Sequence, residues 1–506
     1  MKKITTIALL LGVAASLASA DVVLPKVIAS HMVLQRGVAA PVWGWADQGE
    51  AVTVEFAGQS KTATPDATGK WMVKLDPLTA SAESRVMTVH GNNKIQLEDV
   101  LVGEVWLASG QSNMEWTFHA IAAEEKAYAV SQKNNRLVRA FHVDQHITAG
   151  IPLDDTAGSW KDCMQMVGGS LNSVSAVGFF FALELQKELG VPVAFLDANW
   201  GGQRIEPFIP DEGYKALSLN YRKHGANTDS EAISAQLKGI AASVDQAIQA
   251  SEQGRKIPFL VGDRIYGYAE NGIYNAMIAP LTPYAIKGAI WYQGESNRGA
   301  NDYFKKLQAL SAGWSQVFNV KDIPFYQVQI APFDYNRGKN PADSKLCDTI
   351  WKAQYQGADE IPGMGIVAIH DTNIDIHNIH PVHKRPVAER LVAQALKNQY
   401  GKDVVATGPR FTAAKRDGAN VIVSFQDVDQ GLSTTDGNAP SWFELSADGK
   451  VFVSAQAVIE GNTVEVSVAS VPAPVSVRMG WADIAIPNLS DKNGWPVFAF
   501  PAQPVQ

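Results

Sequence analysis

The sequence predicts a mixed α/β protein in which a parallel β-sheet, covered by helices on both faces, lies between two β-rich regions. Across the middle of the chain, apolar segments of strand length alternate with amphipathic segments of helix length, as is typical of buried parallel strands. The regions on either side show short alternating segments separated by Gly, Asn, Asp and Pro, which favour antiparallel strands. The length of 506 residues exceeds what one hydrophobic core usually supports, so several domains are expected.

Residues 1–20 are predicted to be a cleavable signal peptide. Two lysines precede the apolar segment Ile7–Leu17, and Ala18-Ser19-Ala20 has the small residues of a cleavage site. The apolar segment is too short to cross a bilayer, and the alternative is a buried N-terminal helix. The mature chain is therefore expected to begin near Asp21 and to be secreted or periplasmic.

Residues 21–101 are predicted to form an N-terminal β-sandwich-like domain. Pro41–Trp45, Ala51–Phe56 and Trp71–Leu75 have the composition and alternation of strands. No helical periodicity is found among them, so this region is expected to consist of β-structure.

Residues 102–400 are predicted to form the central α/β domain. Its apolar strand segments are Glu104–Ser109, Val193–Ala198, Lys287–Tyr292, Phe325–Ile330 and Met364–His370. Its segments with helical spacing are Val174–Leu189, Tyr303–Phe318 and Arg385–Leu396. In such folds ligands bind at the carboxyl ends of the strands, so motifs directly after a strand are the candidates for function.

Two further regions complete the predicted organisation. Residues 211–263 are polar and Ala-rich and predict a helical insertion over the sheet. Residues 401–506 return to strand patterns, such as Asn420–Phe425 and Thr463–Val468, and predict a C-terminal β-domain.

Composition and charge exclude some classes of partner. The net charge is −8 and no basic stripe is found, whereas a nucleic-acid-binding protein needs one to neutralise phosphates. No run of eighteen apolar residues follows the signal segment, so membrane insertion is not expected. Cys163 and Cys347 are the two cysteines, and they either pair in an oxidising compartment or stay free. The sequence does not determine an oligomeric state.

Ser112 is the first candidate for chemistry. It lies in the segment Ser109–Met114, directly after the strand that begins at Glu104. A serine at a strand-to-helix turn is exposed, and backbone N–H groups there can stabilise an oxyanion. The alternative is that Ser112 only caps the helix that follows.

His380 is the second candidate, as the base that a serine nucleophile requires. It follows another strand and precedes Pro381, which suits the first turn of a helix. Two other interpretations stay open. His377, His380 and His383 could bind a metal together with Asp371 or Asp375, or the segment could be a polar solvated loop.

Two more segments lie at element ends where backbone or amide donors are expected. Gln293 directly follows the strand Lys287–Tyr292 and could donate to an oxyanion, or it could belong to a helix-capping turn. Gly178, in Ser175–Gly178, opens a helix whose N–H groups can face an anion, or it could provide close packing against a strand.

At these residues the sequence resembles the sialate O-acetylesterase family of the SGNH hydrolase superfamily, which includes bacterial carbohydrate acetylesterases such as xyloglucan acetylesterases. The matching stretches run in order along the chain: Ser30–Arg36, Gly110–Trp116, Trp200–Gly202, Tyr274–Leu281, Ile286–Asn297 and Ile379–Pro381. The resemblance implies that residues 102–400 form a flavodoxin-like (SGNH) catalytic domain. It also implies a deacetylation that proceeds through an acetyl-serine and requires no metal or organic cofactor.

The resemblance also assigns roles to individual residues. Ser112 is implied to be the nucleophile and His380 the general base, with oxyanion donors from Ser112, Gly178 and the Gln293 side chain. The family's aspartate three residues before the histidine is replaced here by His377. Asp375 is therefore expected to orient His380, with Asp371 as the alternative acid, or a backbone carbonyl takes the place of the carboxylate.

The expected substrate is an O-acetylated saccharide, either a sialic acid or an acetylated plant oligosaccharide such as xyloglucan. A sialate carboxylate would need a bidentate arginine, for which Arg204 is the candidate. Trp116 and Trp200 could stack on sugar rings, and Glu295 is a further candidate for substrate binding. The alternatives are a metal-dependent hydrolase built on the histidine cluster and a non-catalytic carbohydrate-binding protein.

Overall fold

The computed structural model describes residues 21–145, 151–168, 174–219, 270–373 and 375–506. The predicted signal peptide, and the predicted insertion from residue 220 onward, lie outside these residues. Within the described ranges, no helix is both long and apolar enough to cross a membrane.

The N-terminal region contains seven strands, three of which cover the predicted segments. They are β1 (Val33–Gln35), β2 (Ala40–Trp45), β3 (Val52–Phe56), β4 (Gln59–Ala63), β5 (Lys70–Leu75), β6 (Ser81–His90) and β7 (Lys94–Gly110). Strands β2 and β5 form one antiparallel pair, while β3 pairs with β4 and β6, and β6 pairs with β7. Strand β1 lies parallel to β7.

Strand β7 belongs to both the N-terminal sheet and the central sheet. Its first part pairs with β6 up to Val102, and its second part, from Glu104 to Gly110, forms the middle of the parallel sheet. Between them lies Gly103, where an added Cβ would overlap the carbonyl oxygen of Pro192. The domain boundary predicted after residue 101 therefore falls inside a continuous strand.

The central region confirms the predicted mixed α/β fold with a parallel sheet. Its further strands are β8 (Val138–Val143), β9 (Gly158–Asp162), β10 (Val193–Asn199), β11 (Gly288–Tyr292), β12 (Phe325–Val328) and β13 (Met364–Val367). The strand order is β13-β12-β11-β7-β10-β8-β9, and all the neighbours are parallel except β8 and β9. The described helices are α1 (Ser112–Glu115), α2 (Ala123–Ser131), α3 (Cys163–Val167), α4 (Ala176–Leu189), α5 (Asp211–Ala216), α6 (Tyr303–Val317), α7 (Lys352–Glu360) and α8 (Arg385–Tyr400).

Large aromatic side chains fill both faces of this sheet. Trp106 of β7 packs edge-on against Phe181 of α4, with ring centroids 5.2 Å apart. Trp291 of β11 packs against Trp314 of α6, with centroids 5.7 Å apart. Trp291 pairs with Ser109, three residues from Trp106, so the two tryptophans point to opposite faces. Helices α4 and α6 therefore cover opposite faces.

The C-terminal region is β-rich, as predicted. It contains β14 (Arg410–Asp417), β15 (Asn420–Gln426), β16 (Leu432–Thr434), β17 (Phe443–Ser446), β18 (Val453–Ser454), β19 (Gln456–Glu460), β20 (Thr463–Ser467), β21 (Ser476–Met479), β22 (Leu489–Asp491) and β23 (Phe500–Pro504). Two four-stranded antiparallel sheets, β14-β15-β20-β19 and β18-β17-β21-β23, enclose their own core.

Buried Asp483 connects this C-terminal region to the central one. It accepts hydrogen bonds from Arg298 Nε at 2.9 Å and from the Leu346 backbone at 2.8 Å. The two cysteines are buried free thiols, so no disulfide contributes to this fold. Burial raises the pKa of Cys163 to about 12, which makes that thiol unreactive at neutral pH.

Replacement of Gly103 by alanine is expected to destabilise the protein by about 2 kcal/mol or more, because the new methyl group must displace the Pro192 backbone. The measurement is the urea midpoint of unfolding. Gln96→Ala, at an exposed position of the same strand, is the control and should change stability by less than about 0.5 kcal/mol. Equal midpoints for the two variants would show that β7 can shift at this point without cost.

Candidate active site

Ser112 is presented by a sharp turn at the end of β7. Gly110 has φ +143°, and an added Cβ there would overlap the Tyr292 carbonyl of the adjacent strand. The Gln111 N–H donates to the same carbonyl at 3.0 Å. Gln111 occupies the cap position of α1 without a capping side-chain bond, and Ser112 is the first helical residue. Ser112 is therefore not the cap of this helix.

The Gln111 side chain connects this turn to the loop after β11. Its Oε1 accepts hydrogen bonds from Gln293 Nε2 at 3.1 Å, from the Gly294 N–H at 3.3 Å and from the Ser296 N–H at 3.2 Å. These groups are buried or partly buried, so the two loops hold one another at the carboxyl edge of the sheet.

His380 contacts Ser112 directly. Its Nε2 lies 2.9 Å from Ser112 Oγ, and its ring stacks on Trp116 with centroids 4.4 Å apart and an interplanar angle of 23°. Burial, together with the nearby positive charge of Lys384, lowers the pKa of His380 to about 4. The imidazole is therefore neutral at neutral pH and can accept the serine proton.

Neither predicted acid contacts His380. Asp375 is exposed and its Oδ1 accepts the His377 N–H at 2.9 Å. Asp371 binds both terminal nitrogens of Arg390, at 2.7 and 2.6 Å. Burial alone would raise the pKa of Asp371, but these bonds lower it below the usual value. Among the residues that the structure describes, no hydrogen bond reaches His380 Nδ1.

The three histidines of the metal interpretation face different groups. His377 Nδ1 lies 3.7 Å from Asp334, and His383 Nδ1 lies 3.5 Å from Glu125. In the described part of the chain, no three His, Cys, Asp or Glu side chains are placed to hold one metal ion. Of these three histidines, His380 is the one that contacts the hydroxyl of Ser112.

Two of the three predicted oxyanion donors, Gly178 and Gln293, are engaged by other groups. The Gly178 N–H donates to Ser175 Oγ at 3.0 Å as part of the α4 cap, and Gly178 packs closely against the Phe195 ring. Gln293 is fully buried, and its Nε2 also donates to Asn297 Oδ1 at 2.8 Å. The structure therefore agrees with the alternative for Gly178, which is close packing against a strand.

Gly201 is the glycine that lies beside Ser112. An added Cβ at Gly201 would lie 3.4 Å from the Cβ of Ser112, so the main chain after β10 passes next to Ser112. The N–H groups of Ser112 and Gly202 donate to no acceptor within the described residues. The sequence contained an indication of this position, because Gly201 and Gly202 lie just after the end of the strand that pairs with β7.

The predicted sugar-binding residues have different surroundings. Trp116 is half-buried, with one face against His380. Trp200 is also half-buried and packs on the core. Arg204 is exposed, and its Nε donates to the Ser296 carbonyl at 3.2 Å. Glu295 is only 7% exposed, so it lies beneath the site and not on its surface.

Sequence reasoning missed a buried polar chain below Ser112. Lys384 Nζ donates to Asn113 Oδ1 at 2.6 Å, and Asn113 Nδ2 donates to Glu295 Oε1 at 2.6 Å. A lysine that opens a helix and an asparagine after the serine have no marked sequence pattern. Only the fold brings these three residues together.

A second polar group missed at this edge includes Glu115, His142 and Asp197. His142 Nδ1 lies 2.8 Å from Asp197 Oδ2. Burial would lower the pKa of His142, but the Asp197 carboxylate raises it above its usual value. Burial raises the pKa of Glu115, which accepts the N–H of Gly201. The carboxyl of Glu115 therefore lies close to the main chain that passes Ser112.

Known proteins that are similar to this chain are carbohydrate esterases. Residues 247–401 match a family model described as carbohydrate esterase, sialic acid-specific acetylesterase. The sialate O-acetylesterase of Mus musculus is 30% identical over 423 residues, and that of Rattus norvegicus is 29% identical over 420, each match covering 76% of this chain and 74% of the relative. The crystal structure of a carbohydrate acetylesterase from Xanthomonas citri has a TM-score of 0.79 and 31% identity, covering 95% of this chain and 99% of that chain.

The low pKa of His380 predicts that its ring stays neutral from about pH 7 down to about pH 5, where an ordinary histidine is mostly protonated. Titration of the ring nitrogens by NMR, with His380→Gln to assign the signal, measures this. Trp116→Leu removes the ring that covers His380 and should move its pKa upward, towards the ordinary value. A wild-type midpoint near 6.5 would contradict the expectation.

Proposed function

Because this chain belongs to the sialate O-acetylesterase family, we propose that it releases acetate from O-acetylated saccharides through an acetyl intermediate on Ser112. Its relatives are carbohydrate ester hydrolases, and this chain is an ester hydrolase of the same kind. The observation that supports the serine mechanism is the 2.9 Å contact between His380 Nε2 and Ser112 Oγ.

The reaction begins when His380 takes the proton of Ser112. The serine oxygen attacks the acetyl carbonyl, and a tetrahedral oxyanion forms. Protonated His380 then gives its proton to the departing sugar oxygen, which leaves as an alcohol. A water molecule, activated by His380 in the same way, releases acetate and restores the serine.

The low pKa of His380 suits the second of these transfers more than the first. A sugar alkoxide is a poor leaving group, so its departure depends on prompt protonation. An imidazolium whose pKa is lowered to about 4 by burial and Lys384 is a strong proton donor. The same shift makes His380 a weaker base, so close contact with Ser112 is needed for the attack.

Of the oxyanion donors implied by the resemblance, we keep the Ser112 N–H, and we propose the Gly202 N–H in place of Gly178 and Gln293. The Ser112 N–H opens helix α1, and the Gly202 N–H follows the residue that packs on Ser112. Both are unused within the described residues, whereas the donor groups of Gly178 and Gln293 already have acceptors. Unused backbone donors beside a nucleophile are suited to a developing negative charge.

The substrate classes differ in their need for a positive charge. Sialic acid brings a carboxylate close to a site that already holds Glu115, and Arg204 offers an exposed guanidinium at this edge. An acetylated neutral oligosaccharide has no such requirement. We therefore propose that sialate turnover depends on Arg204 and that turnover of neutral sugars does not.

Replacement of Ser112 by alanine is expected to lower kcat for acetate release by about three orders of magnitude or more, since the nucleophile is lost. The assay uses O-acetylated sialic acid and acetylated xyloglucan oligosaccharides, each with and without EDTA. Ser131→Ala, on the exposed side of α2, is the control. Activity that survives in Ser112→Ala, or that EDTA abolishes in wild type, would refute the serine mechanism and favour the metal interpretation.

Replacement of Arg204 by methionine is expected to lower kcat/KM for O-acetylated sialic acid by about tenfold or more, the effect of losing one charge-assisted hydrogen bond. Acetylated xyloglucan oligosaccharides should be hydrolysed at the wild-type rate. Lys339→Met, at an exposed lysine in another loop, controls for the loss of one surface charge. A variant that hydrolyses both substrates like wild type would place Arg204 outside the binding site.

A further inference from the structure

We propose that Lys384 is a positioning residue of this active site, which acts through Asn113 to hold Ser112 against His380. The inference rests on the proposed serine mechanism. Lys384 is fully buried and its ammonium binds Asn113, so it acts on Ser112 through Asn113 and on His380 through its charge.

The contacts of Asn113 connect three separate segments of the chain. Its Oδ1 accepts from Lys384 Nζ at 2.6 Å, and its Nδ2 donates to Glu295 Oε1 at 2.6 Å and to the Ile379 carbonyl at 3.0 Å. Asn113 directly follows Ser112, and Ile379 directly precedes His380. One amide group therefore ties together the residues that adjoin the nucleophile and the base.

The direction of the hydrogen bonds from Lys384 through Asn113 to Glu295 requires an amide at position 113 and no other side chain of this size. The Asn113 carbonyl accepts from a lysine ammonium, and its NH₂ donates to a carboxylate, so the amide dipole lies between a cation and an anion. Aspartate would present a second acceptor to Glu295, and leucine would present neither group. The bonds to charged partners are also the stronger kind.

The cost of this arrangement argues against a purely incidental role. Lys384 is 0% exposed and Asn113 is 0% exposed, and taking an ammonium out of water has a desolvation cost that its partners must offset. Burial lowers the pKa of Lys384 to about 7, although the carboxylates of Glu295 and Glu125 oppose the shift. A well-packed apolar residue would often be no less stable here.

The surroundings of Lys384 keep its charge close to the reacting groups. Its Nζ lies 5.5 Å from the centroid of the Trp116 ring and 5.4 Å from that of Tyr292. The ring of His380 stacks on the same Trp116 ring. The titratable groups that face Lys384 are Glu295, Glu125 and His380. Below about pH 7 Lys384 is charged, and that charge favours the neutral form of His380.

Two observable effects follow from replacing Lys384 by methionine, which keeps the length of the side chain. Asn113 loses its partner, so Ser112 and His380 separate and kcat falls by about a hundredfold, a usual result of misplaced reacting groups. KM stays within about twofold, because no substrate contact is removed. The His380 pKa rises without the neighbouring charge, so the acidic limb of the kcat/KM profile moves to higher pH.

The first experiment compares wild type, Lys384→Met and Lys397→Met, which is an exposed lysine of the same helix, by kcat, KM and pH profile. Each is assayed on the acetylated oligosaccharide that wild type hydrolyses best, with folding checked by circular dichroism. The proposal is supported if only Lys384→Met loses kcat and shifts the acidic limb. It is overturned if the folded variant keeps the wild-type kcat, or loses kcat with an unmoved limb.

A second variant separates positioning from charge compensation. Lys384→Met leaves Glu295 buried without a cation, which can lower stability by itself. The double variant Lys384→Met/Glu295→Gln removes both charges and should recover the lost stability. If kcat stays low and the limb stays shifted, Lys384 positions the site. If both return to wild-type values, Lys384 only neutralises Glu295 and the proposal is overturned.

Ser112→Ala is assayed in the same series to distinguish the two proposals. An active Ser112→Ala protein refutes the serine mechanism and, with it, the inference about Lys384. An inactive Ser112→Ala protein together with a fully active Lys384→Met protein refutes the inference alone.

Discussion

Strand β7 connects the N-terminal sheet to the central sheet, and the positions of the functional segments follow from it. Its carboxyl end has β10 on one side and β11 on the other, so the segments after all three strands meet at one edge. Gly110 turns the chain there, and Ser112 begins the next helix. Backbone hydrogen bonds on both sides of β7 fix this turn. Ser112 is therefore held chiefly by the sheet and only secondarily by side chains.

The site keeps Ser112 and His380 in contact, and among the described residues no carboxylate binds the histidine. In the better-known triads, an acid orients the imidazole and stabilises its protonated form. Here the Trp116 ring restrains the plane of His380, while the amide of Asn113 restrains the main chain before it. Neither group is a carboxylate, and burial together with Lys384 lowers the pKa of the ring. The lowered pKa makes His380 a weaker base and its protonated form a stronger acid. A stronger acid suits the proposed hydrolysis of an ester whose alcohol is a poor leaving group.

Sequence reasoning located the parallel sheet and brought Ser112 and His380 forward, because both follow strands and carry side chains with recognisable chemistry. It could not identify the orienting acid, since nearness in the sequence does not reveal that Arg390 binds Asp371. The same limit applies to Gly178, where packing against a phenylalanine decides what the glycine does. Lys384 looked like an ordinary polar residue at a helix start. Its burial depends on contacts between segments distant in the sequence.

The continuity of β7 also bears on how such a protein can change over evolutionary time. An accessory domain joined by a loop can be acquired, lost or exchanged as a module without disturbing its neighbour. Here the last strand of the N-terminal sheet is the same strand that leads to Ser112, and no loop separates the two units. Recombination at this junction would cut a strand at the middle of the enzyme. The N-terminal domain is therefore expected to be inherited together with the hydrolase and to diversify by substitution rather than by shuffling.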